Sequence, residues 1–370
     1  METKLVHYEH FGPFGTPAQL PLAVGAAKKK TFDSIPVIDL RRIYSPSLAE
    51  RKALAKELGQ ACRDVGFFYA SAHGVDPRVA SEAFRAIQDF FALDNETKMA
   101  VHFHKSAGFR GYEPLFETRH EAHGQGDMKE AFSFSHESDE GLEIPNQWPA
   151  NQPQFRNALT TYVNAVELLA QRLMGIFALA LDLPEDYFTT TYPRSGAGIR
   201  ALYYPPQPVQ DAAALEVGIG AHTDYSWFSL INQSAVGGLE IQNANGEWVP
   251  ATPIEGTFVV NIGDSLQWVS GGRFLSTRHR VVNRVAGRAR HSLAFFKSPH
   301  VDSVLQVAPT CRTGKNPQEN AGLVMREYGR MRRTGSRQKH PLIMAAQSMA
   351  LTEKGTQHGT GSSGLALSKL

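Results

Sequence analysis

The sequence predicts an α+β fold in which helices come first and short strands follow. Three observations carry this. Apolar residues recur at spacings of three and four through the first half, most clearly from Phe155 to Phe177. From Ala201 the period changes to two and turn signals cluster. The near-continuous apolar runs at 257–262 and 293–296 then read as strands buried on both faces.

The elements follow in order. Residues 1–30 lack periodicity and read as an extended N-terminal arm, with Lys28, Lys29 and Lys30 a short solvated basic run. A mainly helical region is expected over 31–195. It opens with a short strand at 35–40. Ser47 with Glu50 makes a capping box for a helix whose stripe is Leu54, Leu58 and Cys62. Residues 66–70 form the next strand. Asp76 and Pro77 are N-cap and first residue of a second helix, burying Phe84, Ile87 and Phe91. The polar, histidine-bearing stretch 102–127 reads as loop. The longest helix is expected over 155–182, its stripe of Phe155, Leu159, Tyr162, Val166, Leu169, Leu173 and Phe177 laid against the strand layer. Residues 196–300 form the strand-rich core, with a hairpin turning at Asn245-Gly246. A C-terminal helical segment over 301–336, with its helix near 320–331, precedes a flexible tail, 337–370.

Composition bounds the function. The chain of 370 residues has 42% hydrophobic and 20% charged residues, as soluble globular proteins do. A net charge of +2 gives neither a nucleic-acid footprint nor a membrane-surface patch. The longest uninterrupted apolar candidate, 173–181, stops at Asp182, well short of a membrane span. Cys62 and Cys311 are too few for a disulfide framework, and residues 1–12 have no signal-peptide run. A reducing, intracellular setting fits.

The chemistry concentrates in two segments. His222 and Asp224 are two apart, so on an extended strand both leave one face while Thr223 points away. His279 lies far downstream and reaches them only through the fold. Two imidazoles and one carboxylate are the donor set that holds non-haem Fe(II) and leaves other positions open. Arg290 and Ser292 again share a strand face. A buried guanidinium is costly unless an anion meets it, and its planar fork suits a carboxylate. Tyr204, in Tyr203-Tyr204-Pro205-Pro206, could reach the same anion, although such a tyrosine more often packs in a core. His102-x-His104 and His120-Glu121-Ala122-His123 each lack a distant third partner and read as loop histidines. No glycine-rich nucleotide loop and no serine nucleophile elbow is present.

Taken in order, Tyr-Tyr-Pro-Pro, His-Thr-Asp, Val-Gly-Gly-Leu, Asn-Ile-Gly-Asp, His-Arg-Val-Val-Asn and Arg-x-Ser resemble the iron(II)/2-oxoglutarate dioxygenases of the isopenicillin N synthase-like type, over residues 33–300. The resemblance implies a double-stranded β-helix, or jelly roll, with helices packed outside. It implies that His222, Asp224 and His279 ligate Fe(II), and that Arg290, Ser292 and Tyr204 hold the distal carboxylate of 2-oxoglutarate. It further implies oxidation of a C–H bond of a small molecule by O2, by hydroxylation, desaturation or ring rearrangement, with release of succinate and CO2. Where many plant members have asparagine this chain has Leu202, so one polar contact to the co-substrate is expected to be absent.

Tyr203, Trp227, Phe228, Phe132, Phe134 and Phe296 are candidate contacts to a partly hydrophobic substrate, or barrel packing. Two alternatives stand beside this reading. Isopenicillin N synthase itself keeps the triad and Arg-x-Ser but uses no 2-oxoglutarate, the arginine and serine holding the substrate's own carboxylate. A non-catalytic jelly roll that binds a ligand or partner is the other. Finally, Ser368-Lys369-Leu370 reads as a peroxisomal address for the import receptor, with a cytoplasmic location otherwise.

Overall fold

The computed structural model describes residues 31–344, apart from 121–125, 138–143, 208–215, 315–318 and positions 320, 338, 340 and 342. The N-terminal arm, His123 and the Ser368-Lys369-Leu370 end lie outside the described residues.

The helical half is built from β1 (Val37–Asp39), α1 (Leu48–Asp64), β2 (Phe67–Ser71), α2 (Pro77–Phe91), α3 (Asn95–Ala100), β3 (Gly111–Glu113), β4 (Glu130–Ser135), α4 (Pro153–Ala180) and α5 (Tyr187–Thr191). The strand half follows as β5 (Ser195–Tyr204), β6 (Ile219–His222), β7 (Phe228–Gln233), β8 (Leu239–Gln242), β9 (Trp248–Pro250), β10 (Phe258–Ile262), α6 (Asp264–Val269), β11 (His279–Val281) and β12 (Arg290–Pro299). The pair β13 (Val304–Leu305) and β14 (Leu323–Val324) leads into α7 (Met325–Ser336).

An eight-stranded sheet runs β1-β2-β10-β7-β12-β5-β4-β3, and a four-stranded sheet runs β6-β11-β8-β9. Period two decides the rest. One face of the large sheet, with Phe68, Ile199, Leu230, Val260, Leu293 and Phe295, shares a core with α1, α2 and α4. The other face, with Phe67, Leu202, Tyr204 and Ala294, meets Ile219, Leu239, Ile241 and Val281 of the small sheet. This is the expected jelly roll with helices outside. All seven stripe residues of α4 are buried, so although the helix is long and apolar enough to cross a membrane, it is laid into the core.

Several local expectations are corrected. The first strand stops at Asp39, because the Asp39 carboxylate accepts a hydrogen bond from the Arg41 backbone N–H and starts a 3-10 turn at Leu40. Ser47 caps α1 by position only: its side chain makes no capping bond, so the box with Glu50 does not form. In α2, Phe90 takes the buried place expected of Phe84, which is half-buried. The stretch 102–127 is not all loop. It supplies β3, whose polar residues are buried because distant partners exist: Glu113 meets Lys129 and Arg200. The C-terminal helix starts five residues later than expected, because Leu323 and Val324 pair as β14 with β13 first, and it then runs through an arginine-rich stretch.

Candidate metal centre

β6 ends at His222, and antiparallel pairing sets His279, the first residue of β11, directly opposite. Asp224 follows two residues past His222. Ligand-capable atoms of the three all lie within 4.8 Å of one another. Asp224 Oδ1 is 3.7 Å from His222 Nε2 and 3.9 Å from His279 Nε2, too far to bond to them and suited to ringing one ion.

The back of each group is engaged. His222 Nδ1 lies 2.8 Å from the Gly220 carbonyl and His279 Nδ1 3.1 Å from the Thr277 carbonyl. A carbonyl only accepts, so each Nδ1 carries the proton and each Nε2 turns its lone pair to the centre. Asp224 Oδ2 accepts from Ser229 Oγ at 2.5 Å and Asn261 Nδ2 at 2.8 Å, which leaves Oδ1 free. Burial, then the neighbouring imidazoles, hold His222 well below its ordinary value, in the neutral form that ligates. The donor set therefore fits Fe(II).

Arg290, Ser292 and Tyr204 come together on the inner face of the large sheet. β12 pairs with β5 so that Arg290 faces Tyr204. The guanidinium lies 4.8 Å over the Tyr204 ring and donates to Ser292 Oγ at 3.2 Å and Gln233 Oε1 at 3.1 Å. It is 1% exposed, its Nε has no hydrogen-bond partner, and no carboxylate among the described residues pairs with it. Burial pushes Arg290 down and Tyr204 up. A Cβ on Gly218 would sit 2.6 Å from the Tyr204 ring, so the chain entering β6 passes directly against this pocket.

Residues that sequence reasoning missed tie the centre together. Asp264 accepts from Ser276 Oγ at 2.6 Å through Oδ1, and through Oδ2 from Tyr328 at 2.7 Å, Thr223 at 3.2 Å and Arg332 at 2.5 Å. Arg332 Nη2 also donates to the Thr223 carbonyl at 2.5 Å. One carboxylate thus joins the segment between His222 and Asp224, the segment before His279, and α7. These bonds turn Arg332 of α7 inward. The Asn-Ile-Gly-Asp signal held these roles in outline: Asn261 orients Asp224, a Cβ on Gly263 would be 2.1 Å from the Ser226 carbonyl, and Asp264 is the junction.

Other histidines are placed differently from expectation. His120 is not a free loop residue: its ring lies 4.8 Å from that of His222, and its Nδ1 is 2.5 Å from Asp127, whose Oδ1 accepts from the Gly220 N–H. His102 and His104 do gain a third partner, Glu117, 2.7 Å from His104 Nε2.

Of the six aromatic candidates, Phe296 alone faces the barrel interior. Phe132 and Phe134 pack on the helix side against Trp148, Phe132 also against Phe90 and Phe155. Trp227 packs against Phe188 and Tyr192, Phe228 against Phe177, and Tyr203 against Phe91 and His291. Strand alternation explains the correction, since Tyr203 is one residue out of phase with Tyr204.

Comparison with known proteins agrees with this geometry. Residues 35–151 match the family model for the non-haem dioxygenase in morphine synthesis N-terminal region, and residues 195–299 match that of the 2OG-Fe(II) oxygenase superfamily. A 2-oxoglutarate-Fe(II) type oxidoreductase of Emericella nidulans is 33% identical over 297 residues, covering 76% of this chain and 85% of that protein. A homoarginine-6-hydroxylase of Arabidopsis thaliana is 33% identical, covering 76% and 89%. Among solved structures, Neurospora crassa T7H in complex with alpha-KG and thymine superposes with a TM-score of 0.71 at 26% identity, covering 81% and 97%. The protein is an oxidoreductase that uses Fe(II), 2-oxoglutarate and O2 on a small molecule. The chain belongs to the 2-oxoglutarate-Fe(II) oxygenase superfamily.

Proposed function

We propose that His222, Asp224 and His279 hold the Fe(II), that Arg290, Ser292 and Tyr204 hold the distal carboxylate of 2-oxoglutarate, and that the substrate is hydroxylated in a small-molecule, secondary-metabolite pathway. The observation that carries the co-substrate assignment is the Arg290 guanidinium, buried inside the barrel with hydroxyl, amide and aromatic neighbours but no carboxylate among the described residues. Burying such a charge is favourable only once an anion arrives. Bound Fe(II), with 2-oxoglutarate and O2, supplies the oxidising power that breaks a substrate C–H bond while succinate and CO2 leave. The chain's own part is to aim three donors, orient the co-substrate between Arg290 and the triad, and keep water out with Phe67, Leu202, Ile219 and Val281. Leu202 offers no polar contact, so the co-substrate relies on Arg290 and its two hydroxyl neighbours.

The test is anaerobic. Apo-protein titrated with Fe(II) and then 2-oxoglutarate should develop a weak visible charge-transfer band only when both are present. The Arg290→Ala variant should bind Fe(II) normally and need far more 2-oxoglutarate for the same band. Tight iron binding with no band in the wild-type protein would favour the oxidase reading, in which Arg290 grips the substrate. We also propose import into peroxisomes, supported by the tripeptide Ser368-Lys369-Leu370. A fluorescent protein fused to the N-terminus should be punctate, and diffuse once the tripeptide is deleted.

A further inference from the structure

We infer that Arg200, Arg333 and Arg337 form a second anion site beside the iron centre, one that takes a carboxylate carried by the oxidised substrate. This rests on the reading of the centre above and adds to it a substrate class. Arg200 projects from β5 on the same face as Leu202 and Tyr204, into the barrel. Arg333 lies in the last turn of α7, and Arg337 is the residue that ends the helix. Both guanidiniums lie over the Phe109 ring, at 5.7 and 5.5 Å. Phe109 has φ 57°, a left-handed conformation that a phenylalanine seldom adopts. Strain of that kind gathers at ligand sites. Arg333 also hydrogen-bonds the side chain of Tyr225, the residue after Asp224. The cationic face is held against the triad by Arg332, which grips Thr223 and Asp264.

Among the described residues, the charges around this point do not balance. Lys129, Arg200, Arg333 and Arg337 are four cations, and Glu113 and Asp127 are two carboxylates. Glu113 already serves Lys129 and Arg200, and Asp127 serves His120. Neither Arg333 nor Arg337 has an ion pair among the described residues, and the Nε atoms of Arg200 and Arg337 are buried without a hydrogen-bond partner. Burial, then the Arg200 guanidinium, pushes Arg337 down. Two positive charges in excess at a half-buried site call for an anion. Guanidinium forks braced on an aromatic ring favour a planar carboxylate. Arg290 is a separate site, since its neighbours are Tyr204, Ser292 and Gln233.

The test uses the full chain, loaded anaerobically with Fe(II) and saturating 2-oxoglutarate so that Arg290 is occupied. Calorimetry then compares hexanoate, benzoate and indole-3-acetate with their primary amides. At least one carboxylate should bind at least about tenfold more tightly than its amide, and Arg333→Gln and Arg337→Gln should each remove about tenfold or more of that affinity. Both variants should keep wild-type 2-oxoglutarate affinity, and Arg337→Lys should restore part of the carboxylate binding. If a glutamine variant loses 2-oxoglutarate as well, Phe109→Leu, which removes the stacking ring but no charge, is read in its place and should weaken only the carboxylate. Equal binding of acids and amides, binding by none of the three acids, or full binding by the variants overturns the inference. Failure of the wild-type protein to bind 2-oxoglutarate would instead count against the Arg290 assignment.

Discussion

Two buried cations on one strand meet opposite surroundings. β12 sends Lys297 to the helix side, where its Nζ lies 2.5 Å from Glu167 on α4. The same strand sends Arg290 into the barrel, where no carboxylate among the described residues answers it. Both residues are at most 5% exposed, so solvent cannot account for the difference. A charge that serves the fold arrives with its counter-ion built in, whereas one that serves a ligand leaves the counter-ion's place open.

The largest test of the open side is His279→Ala. It removes one of three converging donors, and succinate release should fall by more than about a hundredfold together with Fe(II) affinity. Retained turnover would sink the triad assignment. Next comes the pair of cations itself. Glu167→Ala strands Lys297 and should cost about 3–5 kcal/mol in urea unfolding, with 2-oxoglutarate affinity per folded molecule unchanged. Arg290→Met should do the reverse: the ligand-free protein is as stable as wild type or more so by about 1–4 kcal/mol. Its 2-oxoglutarate affinity should drop by roughly thirtyfold or more. If both substitutions destabilise alike, the contrast between the two charges is wrong.

A smaller effect is expected one layer out. Asn261→Ala frees half of the Asp224 carboxylate from its tether and should weaken Fe(II) binding by about 10–100-fold, read by anaerobic titration. The smallest is a pH dependence. Burial lowers His222, His73 and His291 below their ordinary value of 6.5. As pH falls through that value the unfolded chain takes up protons that the folded state refuses. Stability is therefore complete above it and lost below it. Urea midpoints of the apo-protein should drop between about pH 7.5 and about pH 5.5, and His73→Gln should flatten part of that slope. A midpoint that rises on acidification would reverse the sign and refute the account.

Much of the barrel was legible because strand chemistry is local. Period two put His222 with Asp224 and Arg290 with Ser292, and a seven-residue stripe announced α4 before any contact was known. The polar stretch that contains β3 was not legible. Glu113 is buried there because Lys129, just before β4, and Arg200 of β5 reach it, and no local pattern announces a distant counter-ion. The motif order had already set Tyr204 rather than Tyr203 beside Arg290, and the register with β12 places Tyr204 opposite it.

The sequence by itself determined the donor types, their spacing and the order of motifs that frames them. Only the tertiary structure decided that Asp264 joins both halves of the triad to α7, that the His120 ring packs against His222, and that five of six aromatic candidates belong to the outer core. The physical reason is range. Periodicity and residue chemistry act over a few positions, whereas the burial of a charge depends on partners that the chain supplies from far away.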